Sequence, residues 1–149
     1  MDSRDLPLYF ELFNEIGIIE QLSRALFEAR LPNGLLASHF AVLNGLIRVR
    51  DGRTPLDLAR AYQVPKTTMT HTLSGLEKHG LVTLRPNPKD GRSKCVWITP
   101  AGRKFRDDAV ASMAPEMARM AAEIPPERLA DLVPRLTEIR RFMDADREE

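Results

Sequence analysis

The chain of 149 residues has the length of one ordinary domain, and its 43% hydrophobic and 29% charged residues exclude disordered and fibrous classes. No apolar run approaches the ~20 residues of a membrane helix, MDSRDLPLYF lacks the basic and apolar regions of a secretory leader, and a lone cysteine, Cys95, suits a reducing cytoplasm. The net charge of +1 hides a division: residues 51–106 carry eleven Lys and Arg against four acids, while the remainder nets −6, so the centre is the part suited to a polyanion.

Six helices and one hairpin are predicted. The first helix runs from about Pro7 to Arg30, with Leu8, Leu12, Ile16, Ile19, Leu22 and Leu26 spaced by three and four. Leu31-Pro32-Asn33-Gly34 is turn chemistry that ends it. A second helix starts with Ser38 as N-cap and carries Phe40, Leu43, Leu46 and Ile47 on one side. Asp51-Gly52-Arg53 breaks the chain. Thr54 and Pro55 then start a short third helix, with Asp57 where a capping box places its acid. Gln63 and Val64 make a tight turn. A fourth helix runs from Pro65 to His79, with Gly80 as its left-handed cap.

Beyond Gly80 the pattern changes to strand. Residues 81–85 and 95–99 are β-prone, and 86–94, rich in Pro, Asn, Asp and Gly, read as a hairpin tip. Pro100 and Gly102 lead into a fifth helix, and a sixth follows Ile124-Pro125-Pro126. In the sixth, Leu129, Leu132, Leu136, Ile139 and Met143 form a coiled-coil-like seam. Pro115 and Pro134 are expected to kink or split these last helices.

Short helix, tight turn, second helix and two-stranded hairpin is the order of a winged helix-turn-helix, whose second helix can lie in a DNA major groove. On residues 65–79, Met69, Leu73 and Leu76 form an inward stripe. Thr67, His71, Ser74 and Lys78 point the opposite way, flanked by Lys66 and Thr70, and Glu77 is the only acid. Hydroxyls and amines there can bond base edges and phosphates. The plainer alternative is an ordinary polar helix face.

The run 75–105 resembles the heart of the MarR family of bacterial and archaeal regulators. The residues that carry the resemblance are Leu76, Gly80-Leu81-Val82, Asp90-Gly91-Arg92 and Ile98-Thr99-Pro100-Ala101-Gly102-Arg103. Leu84 stands where that family often has arginine, and Gly91 replaces the first arginine of its D-R-R. The resemblance implies a homodimer with interlocked first, fifth and sixth helices, and modulation by small anionic or aromatic ligands or by oxidation. It also assigns Arg92 as the wing's DNA contact, with Asp90 as its support through a charge-assisted hydrogen bond.

The resulting expectation is a mainly α protein with a small β-wing, in three parts: 1–34 and 107–149 for dimerisation, and 35–106 for DNA. Its function is a dimeric, sequence-specific transcriptional regulator on a pseudo-palindromic duplex, a repressor relieved by a small effector. A winged helix that binds protein is the alternative. DNA contacts are assigned to Lys66, Thr67, Thr70, His71, Ser74, Lys78 and Arg92. Cys95 reads as structural, and His39, His71 and His79 do not converge with it as metal ligands. Met113, Met117 and Met120 lie on one stripe suited to packing. No catalytic signature is present, so no enzyme activity or cofactor is expected.

Overall fold

The computed structural model describes residues 4–147; the ends of the predicted parts, 1–3 and 148–149, lie outside the described residues. The elements are α1 (Leu6–Glu28), α2 (Ala37–Arg48), α3 (Pro55–Ala61), α4 (Lys66–Lys78), β1 (Val82–Asn87), β2 (Asp90–Ile98), α5 (Pro100–Ser112), α6 (Ala114–Glu123) and α7 (Pro126–Ala145). This is the predicted mainly α fold with a two-stranded antiparallel wing. The chain divides into two compact units, Met1–Ala111 and Ser112–Glu149.

In the first unit, the core is built by Leu43 and Leu46 of α2, Leu58 of α3, Met69, Leu73 and Leu76 of α4, and Val82, Val96 and Ile98 of the wing. The polar spacing of α4 leaves one apolar stripe, and that stripe seats the helix on α2 and α3. Thr54 caps α3 as predicted, accepting the Asp57 N–H at 3.1 Å. The capping box is only half made, because the Asp57 carboxylate turns instead toward Arg50, 3.7 Å away. Gln63 takes a left-handed φ of +51° in the turn before α4, and Gly80 takes +70° after it.

The predicted N-cap of α2 is displaced. Leu36, not Ser38, occupies that position, and its N–H donates to Nδ1 of His39 at 2.9 Å. The Ala37 N–H donates to Oε1 of Glu28, so the end of α1 satisfies a second orphan amide of α2. Phe27 and Phe40 meet edge to face, with centroids 4.5 Å apart, at the same junction.

The wing is longer and its turn tighter than the sequence predicts. Residues 86–87 and 90–94 are strand, leaving Pro88 and Lys89 between. Asn87 accepts the Lys89 N–H at 3.0 Å and donates to Oγ of Ser93 at 2.9 Å. These side-chain bonds stand in for ladder bonds that Pro86 cannot make and that the bulge at Pro86/Asn87 interrupts. Cys95 is buried on β2.

α1 carries no buried residue. Leu8, Ile19 and Leu22 of its predicted stripe are 67%, 60% and 66% exposed. In the second unit, Pro115 follows a break at Met113, splitting the predicted fifth helix into α5 and α6. Pro134 does not split its helix; α7 runs through it. Leu129, Leu132 and Met143 of the predicted seam are exposed, as are Met117 and Met120. Among the described residues, no helix is long and apolar enough to cross a membrane.

Candidate nucleic-acid interface

The predicted face of α4 is open. Lys66, Thr67, Thr70, His71, Ser74 and Lys78 are all exposed, while Met69, Thr72, Leu73 and Leu76 are buried. The Thr70 hydroxyl donates back to the Lys66 carbonyl at 2.9 Å, leaving its oxygen free to accept. Glu77 is exposed on the same helix.

Two histidines meet α4 at Gly75. With Nδ1 of His39 accepting from Leu36, the neutral ring carries its proton on Nε2, which faces Gly75. A Cβ at Gly75 would come within 2.9 Å of that nitrogen. Glycine here costs helix propensity of about 1 kcal/mol relative to alanine, and in exchange α2 approaches α4 closely. From the other side, Nδ1 of His79 lies 2.8 Å from the Gly75 carbonyl, a bond that requires its proton on Nδ1.

Burial, with His79 and His71 adding smaller contributions, holds the His39 pKa below its ordinary 6.5. The unfolded chain therefore takes up a proton here at higher pH than the folded one. This contribution to stability is complete above that ordinary value and declines as pH falls below it. Urea unfolding at about pH 7.5 and pH 5.5 should show a smaller loss for His39→Gln than for wild type; equal losses would remove His39 from the account.

At the wing, Arg92 stands on β2 rather than in the turn, and its side chain is 97% exposed. Asp90 supports it differently from the expectation. The carboxylate Oδ1 accepts the Arg92 backbone N–H at 3.0 Å, whereas the guanidinium Nε is 3.9 Å away. Asp90 thus shapes the strand, and only a loose ion pair reaches the guanidinium. Lys89 and Lys94 are exposed beside it. On β1, the exposed Arg85 places its guanidinium 5.9 Å from the centroid of Trp97, a cation–π arrangement absent from the sequence reading.

The Ile98-Thr99-Pro100-Ala101-Gly102 motif is a clasp between the wing and α4. The Thr99 hydroxyl donates to the Gly80 carbonyl at 2.7 Å and accepts the Gly102 N–H at 3.0 Å, capping α5. The Thr99 N–H donates to the Leu81 carbonyl at 3.1 Å. On α5, Arg106 directs Nε and Nη2 onto Oδ1 of Asn44, each at 3.1 Å, tying that helix to α2. The polar face of α4 and the base of the wing are therefore held on one framework.

Residues 33–93 match the family model described as MarR family. The transcriptional activatory protein BadR of Rhodopseudomonas palustris is 32% identical over 98 residues, covering 64% of this chain and 54% of that protein. The HTH-type transcriptional repressor YetL of Bacillus subtilis is 30% identical over 104 residues, covering 69% of this chain and 60% of that protein. The chain thus spans less than two thirds of either relative. The crystal structure of the transcriptional regulator BldR from Sulfolobus solfataricus superposes with a TM-score of 0.70 at 29% identity, covering 93% of this chain and 99% of that one. Fold, matched segment and motif agree in their similarity to the MarR family.

Proposed function

We propose that this protein is a dimeric, sequence-specific DNA-binding transcriptional regulator in the cytoplasm, a repressor relieved by a small aromatic or anionic effector. The observation that carries the reading is the α4 face, where six exposed polar residues lie along one helix beside a wing bearing Arg92. A helix of this polarity suits major-groove base edges, and a strand-borne guanidinium suits the narrow, negative minor groove. Relatives carry both senses of regulation in their names, activatory in BadR and repressor in YetL. Repression is the simpler sense, since occupying a site suffices. An effector relieves it only by binding the DNA-incompetent arrangement more tightly, so a library of aromatic acids is to be screened for release of bound duplex.

The test is an electrophoretic shift on genomic fragments, repeated with Arg92→Ala across salt concentrations. Loss of a groove arginine is expected to cost about 1–3 kcal/mol of binding, and loss of one phosphate contact to flatten the slope of log K on log salt by about 0.9. Lys104→Ala serves as a control, because Lys104 is paired with Asp108 along α5. Wild-type affinity in Arg92→Ala would remove the wing from the interface. No shifted fragment at all would favour a winged helix that binds protein.

A further inference from the structure

Asp51 follows α2 in a turn that the sequence marks only as a chain break. Its Oδ1 accepts the Gly52 N–H at 3.0 Å and, across 47 positions, the Ile98 N–H at 3.0 Å. Its Oδ2 lies 3.7 Å from Nη2 of Arg103 in α5, and the side chain is 24% exposed. Beside it, Gly52 N–H donates to Val96 at 3.0 Å and Val96 N–H donates to Arg53 at 2.8 Å, laying the turn along β2 as a single-pair third strand. The Trp97 ring closes over Gly52, where a Cβ would come within 2.5 Å of it.

Ile98 and Thr99 are thus tied in two directions. Ile98 is held to the turn after α2 through Asp51, and Thr99 is held to the C-terminus of α4 through Gly80. The wing enters and leaves this frame at its base, so the base sets where Arg92 stands relative to the α4 face. By charge alone, a carboxylate in the basic segment opposes DNA. We propose that Asp51 is a positioning residue for DNA binding, fixing the pitch of the wing against α4; this rests on the DNA reading above.

Charge and geometry predict opposite signs. If Asp51 acts only as a negative charge, removing it tightens binding. If it positions the wing, Asp51→Ala weakens binding by roughly tenfold, within the usual range of coupling between a support and a site. The salt slope then stays unchanged, because no phosphate contact is lost. Asp51→Asn keeps an oxygen for both N–H bonds and should bind within about threefold of wild type. The probe is a duplex selected from a random library by the wild-type protein. Amide exchange at Ile98 is followed in parallel and should accelerate in Asp51→Ala alone.

A folded Asp51→Ala that binds as tightly as wild type, or tighter, overturns the proposal. So does an Asp51→Asn as weak as the tenfold expectation, since geometry would then be retained and affinity lost. If Asp51→Ala fails to fold, the asparagine variant decides. Wild-type protein that selects no duplex overturns the DNA reading itself, and is thereby distinct from failure of the variants.

Discussion

Gly102→Ala is expected to be among the most destabilising single-methyl substitutions in the first unit. A Cβ at this position would lie 2.1 Å from the Leu81 carbonyl oxygen and 2.8 Å from Cγ1 of Ile98. The oxygen belongs to backbone that also accepts the Thr99 N–H, so it cannot withdraw without opening the clasp. Overpacking against a fixed neighbour costs about 3 kcal/mol or somewhat more. For a chain of this size that lowers the melting temperature by on the order of 10 °C. Gly91→Ala is the control, since nothing lies within 4 Å of a Cβ there and its φ is not left-handed. Thermal melting followed by circular dichroism checks both. A Gly102→Ala protein that melts within a degree or two of wild type would mean that α5 is not seated on Leu81 as described.

The second large effect concerns assembly. Leu8, Ile19 and Leu22 leave most of their surface in water, and Tyr9 and Phe10 of α1 do the same. Burying such side chains is worth about 1.5–3 kcal/mol each, so a second copy of the chain is the proposed cover. Ile19→Asp combined with Leu22→Asp places two charges on that face without touching the core of the first unit. Sedimentation should then report a monomer, where wild type is expected to run as a dimer. A monomer engages one half-site and forfeits the second module's effective concentration, so duplex affinity should fall by roughly 10²–10⁴. Footprints of the wild type should cover an inverted repeat with half-sites about 10 base pairs apart. A variant that stays dimeric would place the interface elsewhere, and a monomer with full affinity would end the dimeric reading.

The parts of the fold that were legible in the sequence are those governed by neighbours in the chain. Thr54-Pro55 announces α3, Gly80 closes α4, and the spacing of Met69, Leu73 and Leu76 assigns the outward face of α4 correctly. The wing boundaries were less legible because Pro86, Asn87 and Asp90 have little strand propensity of their own. They are strand because Asn87, Ser93 and Asp90 bond one another once the hairpin has formed. The start of α2 was misplaced for a similar reason: His39 supplies the acceptor that Ser38 was expected to supply. Asp51 looked like turn chemistry because its decisive partner, Ile98, is distant in sequence. Gly75 carries a helix-propensity penalty whose return is close approach to His39, and Gly102, read only as leading into a helix, is where Leu81 approaches closely. The outward side chains of α4 follow from local periodicity; the framework that aims them is long-range.

The burial of Cys95 gives the protein a reporter of its own. It is the chain's single thiol and lies on β2 with 7% of its surface exposed. A thiol so covered reacts only when the structure around β2 opens locally, so modification under native conditions proceeds at a rate set by that opening. Cysteines introduced on open α4 positions such as Ser74 would label first, and a spectroscopic tag could be attached there without deleting the native residue. Slow labelling of Cys95 would then time local opening around β2 in the same sample, free and on duplex, with no substitution in the wing at all.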